Sequence, residues 1–248
     1  MRVFVNWSYN LIPKQNHTWI SSDYNSCDIV VGINNSKSYN KPFVNWLYEP
    51  SSIIERHYLS LKNSNNRVAT HLTQKQFNNQ ISIPPCFPSW ISVEESRIYD
   101  KTKLISMIAS TKNMCNGHSY RQQVASKNEN ILDLYGLNRP NQLNSKIDGL
   151  KDYMFSVAME NIISDTYYTE KILDCFLTGT IPIYWGTSKI CDIFDKNGIL
   201  FLNADGSIPE INKDVYMSKI DSVKNNFEIA KQYNYTSSDG IQFITEKL

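Results

Sequence analysis

The chain lacks several features that would settle a function class at once. No run of its 248 residues approaches transmembrane length. Met1 leads straight into an apolar stretch at residues 3–7 rather than a signal sequence, so the expected location is a cytoplasm. Cys27, Cys86, Cys115, Cys175 and Cys191 are scattered and odd in number, with no Cys-x-x-Cys or His-x-x-x-His spacing, so no metal site and no disulfide framework is expected. Charge of one sign is missing too: 25 Lys and Arg against 24 Asp and Glu leave a net +1, which excludes a strong field for nucleic acid or membrane. Internal repeats are absent, and so is the Asp-x-Asp motif that would hold a metal on a diphosphate. What is present is a 41% hydrophobic, 20% charged chain long enough for one large domain or two small ones.

Hydrophobic patterning divides the chain. Residues 3–7, 28–32, 42–48 and 67–70 read as short strands, and 51–61 carries Ile53, Ile54, His57, Tyr58 and Leu61 at helical spacing. Pro84, Pro85 and Pro88 punctuate an irregular stretch at 76–90 that predicts the end of a first domain, 1–95. The second, 96–248, alternates more regularly. Strands are expected at 104–109, 131–135, 154–159, 181–185 and 199–202. Helices are expected from about residue 118, over 142–152, from Thr169, near 187–194, over 215–233 and over 237–248, the last a candidate to pack back on the first domain. Strand and helix in turn predict an α/β class with a doubly wound parallel sheet.

The stretch from Tyr153 to Gly186 carries the chemistry. It reads as strand, loop, helix, strand, with Thr169 as N-cap and Gly179 at the helix C-terminus. Ligands of such crossover units sit off the carboxyl end of the first strand. Glu160, Asn161, Tyr167, Tyr168, Thr169, Glu170 and Lys171 crowd that corner. Lys171 stands in the first helical turn, against the dipole preference, unless an anion binds there. Spacing alone leaves two readings open, an anion site or a solvated Glu–Lys pair. Arg121, Ser110 and Lys112 lie at a second carboxyl edge, and Gly136 ends a third strand. Glu49 closes the strand before Pro50; by position alone it reads first as an ordinary acid near a helix start. His71 and His118 read as structural.

Taken together, Met159-Glu-Asn-Ile, Tyr167-Tyr-Thr-Glu-Lys-Ile-Leu-Asp and Thr180-Ile-Pro-Ile-Tyr-Trp-Gly resemble the signature of glycosyltransferase family 10, the α1,3/α1,4-fucosyltransferases. The resemblance covers roughly residues 104–202 and weakens over the first hundred. It implies a GT-B architecture, two Rossmann-like domains with a central cleft. It implies inverting transfer of fucose from GDP-fucose to a glycan hydroxyl, with no required cofactor. Arg121 and Lys171 would hold the pyrophosphate and Glu170 the ribose, with Asn161 and Tyr167 beside them; Glu49 in Trp46-Leu-Tyr-Glu-Pro would be the acceptor-side base. Contact with a membrane would come only through the acceptor. Met159 and Ile162 stand where the family pattern has Phe and Ser, and the first domain, which chooses the acceptor, is compact. A GT-B transferase for another nucleotide sugar, an inactive nucleotide-binding homologue and a structural protein with a Rossmann-like core remain as alternatives.

Overall fold

Short apolar runs bounded by polar turns become parallel strands throughout. The computed structural model describes residues 1–7, 20–21 and 23–248. In chain order these form β1 (Val3–Trp7), β2 (Ile20–Ser21), β3 (Ile29–Ile33), β4 (Phe43–Leu47), α1 (Ser51–Lys62), β5 (Arg67–Thr70), β6 (Asn79–Ser82), β7 (Lys103–Ile108), α2 (Asn116–Lys127), β8 (Asp133–Tyr135) and β9 (Tyr153–Met159). Then follow α3 (Glu170–Phe176), β10 (Ile181–Trp185), β11 (Leu200–Phe201), α4 (Lys213–Ser218), α5 (Ile220–Gln232) and α6 (Ser237–Thr245). The chain divides into two compact units, one of Met1–Cys86 with Tyr235–Leu248, the other Phe87–Asn234. No described helix is long and apolar enough to cross a membrane.

The first unit is a six-stranded parallel sheet in the order β2-β1-β3-β4-β5-β6. Its central strand β3 is buried along its whole length, as its unbroken apolar run requires. The C-terminal α6 completes this core: Ile241 and Ile244 are fully buried against Val31, Val44 and Trp46. A capping box starts the helix, Thr236 accepting from the Asp239 N–H while the Asp239 carboxylate accepts from the Thr236 N–H. The division therefore differs from the expected 1–95 and 96–248. The chain crosses between units at Cys86–Phe87, because Cys86 is packed with Trp46 while Phe87 is packed on Tyr167, and it returns after Asn234.

The second unit is a five-stranded parallel sheet, β11-β10-β9-β7-β8. Every residue of β9 is buried, and Phe155 and Tyr153 are fully so. The expected helix over 142–152 is only a 3-10 turn at Lys146–Gly149. The Ser106 hydroxyl donates to the Gly149 carbonyl at 2.6 Å and ties the end of this turn to the sheet. The expected helix at 215–233 is two, broken at Lys219, with Tyr216 turned inward to donate to the Gly179 carbonyl at 2.9 Å. β6 escaped the sequence pattern because Asn79-Gln-Ile-Ser is polar and lies at the sheet edge.

His71, just past β5, is buried, and that burial pulls its imidazole down to about 4 from 6.5. The folded pKa lies below the unfolded one, so the stability from a neutral His71 is complete above pH 6.5 and is lost as pH falls towards 4. We expect melts across that window to lose roughly 3 kcal/mol through this group. His71→Gln should flatten the dependence; an unchanged pH profile would assign it to other groups.

Candidate active site

Strand order decides where a ligand can sit on the second sheet. The chain runs from β7 out to β8, then returns to the other side of β7 with β9. Loops leaving β7 and β9 therefore diverge and leave a crevice at the carboxyl edge. A cavity of about 690 Å³ fills that crevice, walled by the ends of both strands and by Ser110, Lys112, His118, Arg121, Gly136, Asn161, Glu170 and Lys171. Two glycines permit the close approaches around it. A Cβ on Gly117, in the first turn of α2, would stand 2.2 Å from the Asn161 carbonyl oxygen. Gly136 has φ +147°, and a Cβ there would stand 2.3 Å from the Ala109 carbonyl oxygen.

Arg121 projects from α2 to the end of β9 and is 7% exposed. Its Nη2 donates to the Met159 carbonyl at 2.7 Å, the Glu160 carbonyl at 3.2 Å and Asn161 Oδ1 at 3.0 Å. All three bonds use one nitrogen, so the other edge of the guanidinium is uncommitted to them in a side chain that lines the cavity. Burial lowers its pKa, but a guanidinium stays charged at any working pH.

Glu160 is fully buried behind the cavity wall. Its carboxylate accepts from the Thr169 N–H at 2.9 Å, the Thr169 hydroxyl at 2.8 Å and Lys171 Nζ at 3.3 Å. A buried carboxylate must be satisfied in this way. The anion at the start of α3 is therefore the protein's own, and the seven-residue helix does not offer the Thr169 amide to a phosphate as the sequence suggested. Lys171 Nζ also donates to the Thr169 hydroxyl at 2.7 Å and lies 3.5 Å from Glu170 Oε1. Lys146 Nζ continues the chain, 3.6 Å from Glu170 Oε1 and 2.5 Å from Asp174 Oδ2.

The result is an alternating row, Glu160, Lys171, Glu170, Lys146, Asp174, with one more carboxylate than ammonium. Arg121 and Lys112 on the same cavity turn the balance to a net positive charge. Burial alone would lower the Lys171 ammonium, but Glu160 and Glu170 outweigh it and its pKa is raised. Burial likewise opposes Glu170, but Lys171 and Lys146 hold it down to about 2. Asp174 is raised, since its burial outweighs Lys146.

Of the eleven donor-side residues expected from sequence, seven line the cavity: Ser110, Lys112, Arg121, Gly136, Asn161, Glu170 and Lys171. Glu160, Tyr167, Tyr168 and Thr169 stand behind it. Tyr167 is buried edge-on against Phe87, with ring centroids 5.6 Å apart, and Tyr168 is buried with Ile172 and Leu173. Glu49 belongs to the first unit. Asn34, at φ +50°, accepts from the Tyr48 and Glu49 N–H groups through Oδ1 at 2.9 and 3.0 Å, which fixes the backbone carrying the half-buried Glu49.

Sequence reasoning missed Lys146, Asp174 and Trp90. Asp174 carried a signal, an acid inside the apolar run Ile172 to Leu177; Lys146 was hidden in the expected helix. His118 does make a structural bond, accepting the Met114 N–H at Nδ1 at 3.1 Å, and it also lines the cavity. Among the described residues, no group of three or more His, Cys, Asp or Glu is arranged to hold a metal ion.

Comparison with known proteins bears on the same region. The family model for the C-terminal part of glycosyltransferase family 10 (fucosyltransferase) matches residues 98–199. An α-(1,3)-fucosyltransferase of Helicobacter pylori is 35% identical over 71 residues, 27% of this chain and 15% of that protein. A putative fucosyltransferase-like protein of Arabidopsis thaliana is 31% identical over 115 residues, 44% of this chain and 22% of that one. This chain thus matches less than a quarter of the length of either relative. Among solved structures, an α1,3-fucosyltransferase aligns over 99% of this chain and 88% of its own, with TM-score 0.57 and 15% identity. An α1,3-fucosyltransferase solved with GDP-fucose aligns over 94% and 81%, with TM-score 0.52 and 14% identity. With two all-parallel α/β units, the fold is of the GT-B class. The segment that the family model matches, 98–199, supplies every described cavity residue except Trp90.

Proposed function

We propose that the chain is an inverting fucosyltransferase that moves fucose from GDP-fucose to a hydroxyl of a glycan acceptor, without a metal. The observation that carries this reading is the convergence of Arg121, Lys171 and Glu170 on one cavity at the switch point of the second sheet. The cavity size suits a nucleotide sugar. The relatives' names and the GDP-fucose bound to a protein of the same fold supply the donor.

Inversion requires the acceptor oxygen to attack the anomeric carbon from the face opposite GDP. The bond from that carbon to the β-phosphate oxygen breaks, and the electron pair leaves with GDP. Arg121 and Lys171 meet the charge that builds on the departing diphosphate. The acceptor hydroxyl gives up its proton to a carboxylate, and Glu49 at the end of β4 is that base. Glu170 accepts from the ribose hydroxyls; held ionised by its two lysines, it is a pure acceptor at neutral pH.

The test is GDP release from GDP-fucose in the presence of acceptors containing N-acetylglucosamine, glucose or galactose, with GDP-mannose and UDP-sugars as competing donors. We expect release with GDP-fucose and one acceptor class, unaffected by EDTA. Turnover only with another donor moves the reading to a different GT-B transferase. Loss of turnover in EDTA rejects the metal-free mechanism, and no turnover with any donor rejects the enzyme.

A further inference from the structure

Trp90 is 72% exposed, yet its main chain is held firmly. Its N–H donates to Asp174 Oδ1 at 2.9 Å, and the preceding Ser89 hydroxyl donates to the same oxygen at 2.5 Å. The Ser89 N–H is bound by Asn234 Oδ1 at 2.7 Å, and the buried Ile91 anchors the other side. The indole lines the cavity, and Lys146 Nζ lies 5.9 Å from its ring centroid. A large aromatic surface on a fixed backbone at a cavity wall suits a flat ligand.

The order of groups says which part of the ligand arrives there. Arg121 and Lys171 stand at one end of the charged row, Glu170 follows, then Lys146, and Trp90 faces Lys146 at the other end. A nucleoside diphosphate has the same order: diphosphate, ribose, base. The geometry points to Trp90 and Lys146 as a base-recognition subsite, in which a purine stacks on the indole and the ammonium donates to acceptors on its edge. Guanine presents two adjacent acceptors, O6 and N7, where adenine pairs N7 with an amino donor. Lys146 offers donors only, so it favours guanine over adenine. Asp174 is the positioning residue, tying the Lys146 ammonium and the Trp90 main chain to α3.

This inference rests on the nucleotide-sugar reading of the cavity, and the experiment separates the two. The full chain is titrated with GDP, ADP and inorganic pyrophosphate, following tryptophan fluorescence and heat. The wild type should prefer GDP to ADP and show quenching on GDP binding. Trp90→Ala should weaken GDP on the order of 10-fold, as loss of one base stack does, and leave pyrophosphate unchanged. Trp90→Phe should keep GDP affinity and lose the quench. Lys146 also neutralises Asp174, so it is tested as Lys146→Gln combined with Asp174→Asn, which retains the Oδ1 acceptor; this pair should narrow the GDP-over-ADP preference. Wild-type GDP affinity in Trp90→Ala, with or without lower thermal stability, overturns the subsite and leaves the donor reading standing. A wild type that binds no GDP rejects both.

Discussion

Replacing Lys171 with alanine is expected to lower fucose transfer by ~100–1000-fold, the cost of losing one donor that meets developing charge. The structure adds a second expectation that the sequence did not. Lys171 is the counter-ion of Glu160, a carboxylate with no exposure to solvent, and it also neutralises Glu170. Removing one partner of a buried pair costs about 3–5 kcal/mol, because the other charge is left uncompensated. Lys171→Ala should therefore lose stability as well as turnover, and turnover alone would not assign its role. The double variant Lys171→Ala with Glu160→Gln removes the orphaned charge. We expect it to regain most of the melting temperature and none of the turnover. Recovery of both would make Lys171 a structural ion only. Arg121→Ala should show an activity loss of similar size, since its guanidinium serves the fold through Nη2 alone and the side chain lines the cavity. Arg121→Lys keeps a charge without the fork and should recover GDP binding only in part.

How far the sequence revealed this arrangement follows from which physical signals are local. β9 was legible because a strand covered on both faces must be apolar along its length, and Thr169 because an N-cap hydroxyl has a fixed place relative to the turn it starts. Arg121 and Lys171 were legible as cations at two carboxyl edges of one sheet. The partners of those cations were not, because they come from distant parts of the chain. Nothing local says that Glu160 turns inward to take the Thr169 amide, or that Lys146 lies beside Asp174. The helix expected over 142–152 is a 3-10 turn at Lys146–Gly149, and the group that holds its last carbonyl, Ser106, comes from a distant part of the chain. Tyr167 and Tyr168 flank the motif, and what the sequence does not show is that their rings pack on Phe87 and in the α3 core. The pattern located the corner. The division of its residues into those that face the cavity and those that brace its wall is tertiary information.

Glu49→Gln separates binding from chemistry most sharply. The carboxylate and the amide have nearly the same shape, so Asn34 should continue to accept from the main chain at 48 and 49, and the fold should be unchanged. Gln cannot take a proton from an acceptor hydroxyl, and loss of a general base typically costs about 100–10,000-fold. GDP affinity should stay at the wild-type value, because the described residues that line the cavity all belong to the second unit. Transfer should fall by at least 100-fold while slow donor hydrolysis, which needs no acceptor, falls less. That contrast is what assigns Glu49 to the acceptor rather than to the donor, and parallel loss of GDP affinity would contradict it. The pH profile gives a further check: the wild-type rate should fall on the acid side as the base protonates, and that limb should vanish from the residual activity of Glu49→Gln. Full transfer in the variant would remove Glu49 from the mechanism and leave the proton to another carboxylate.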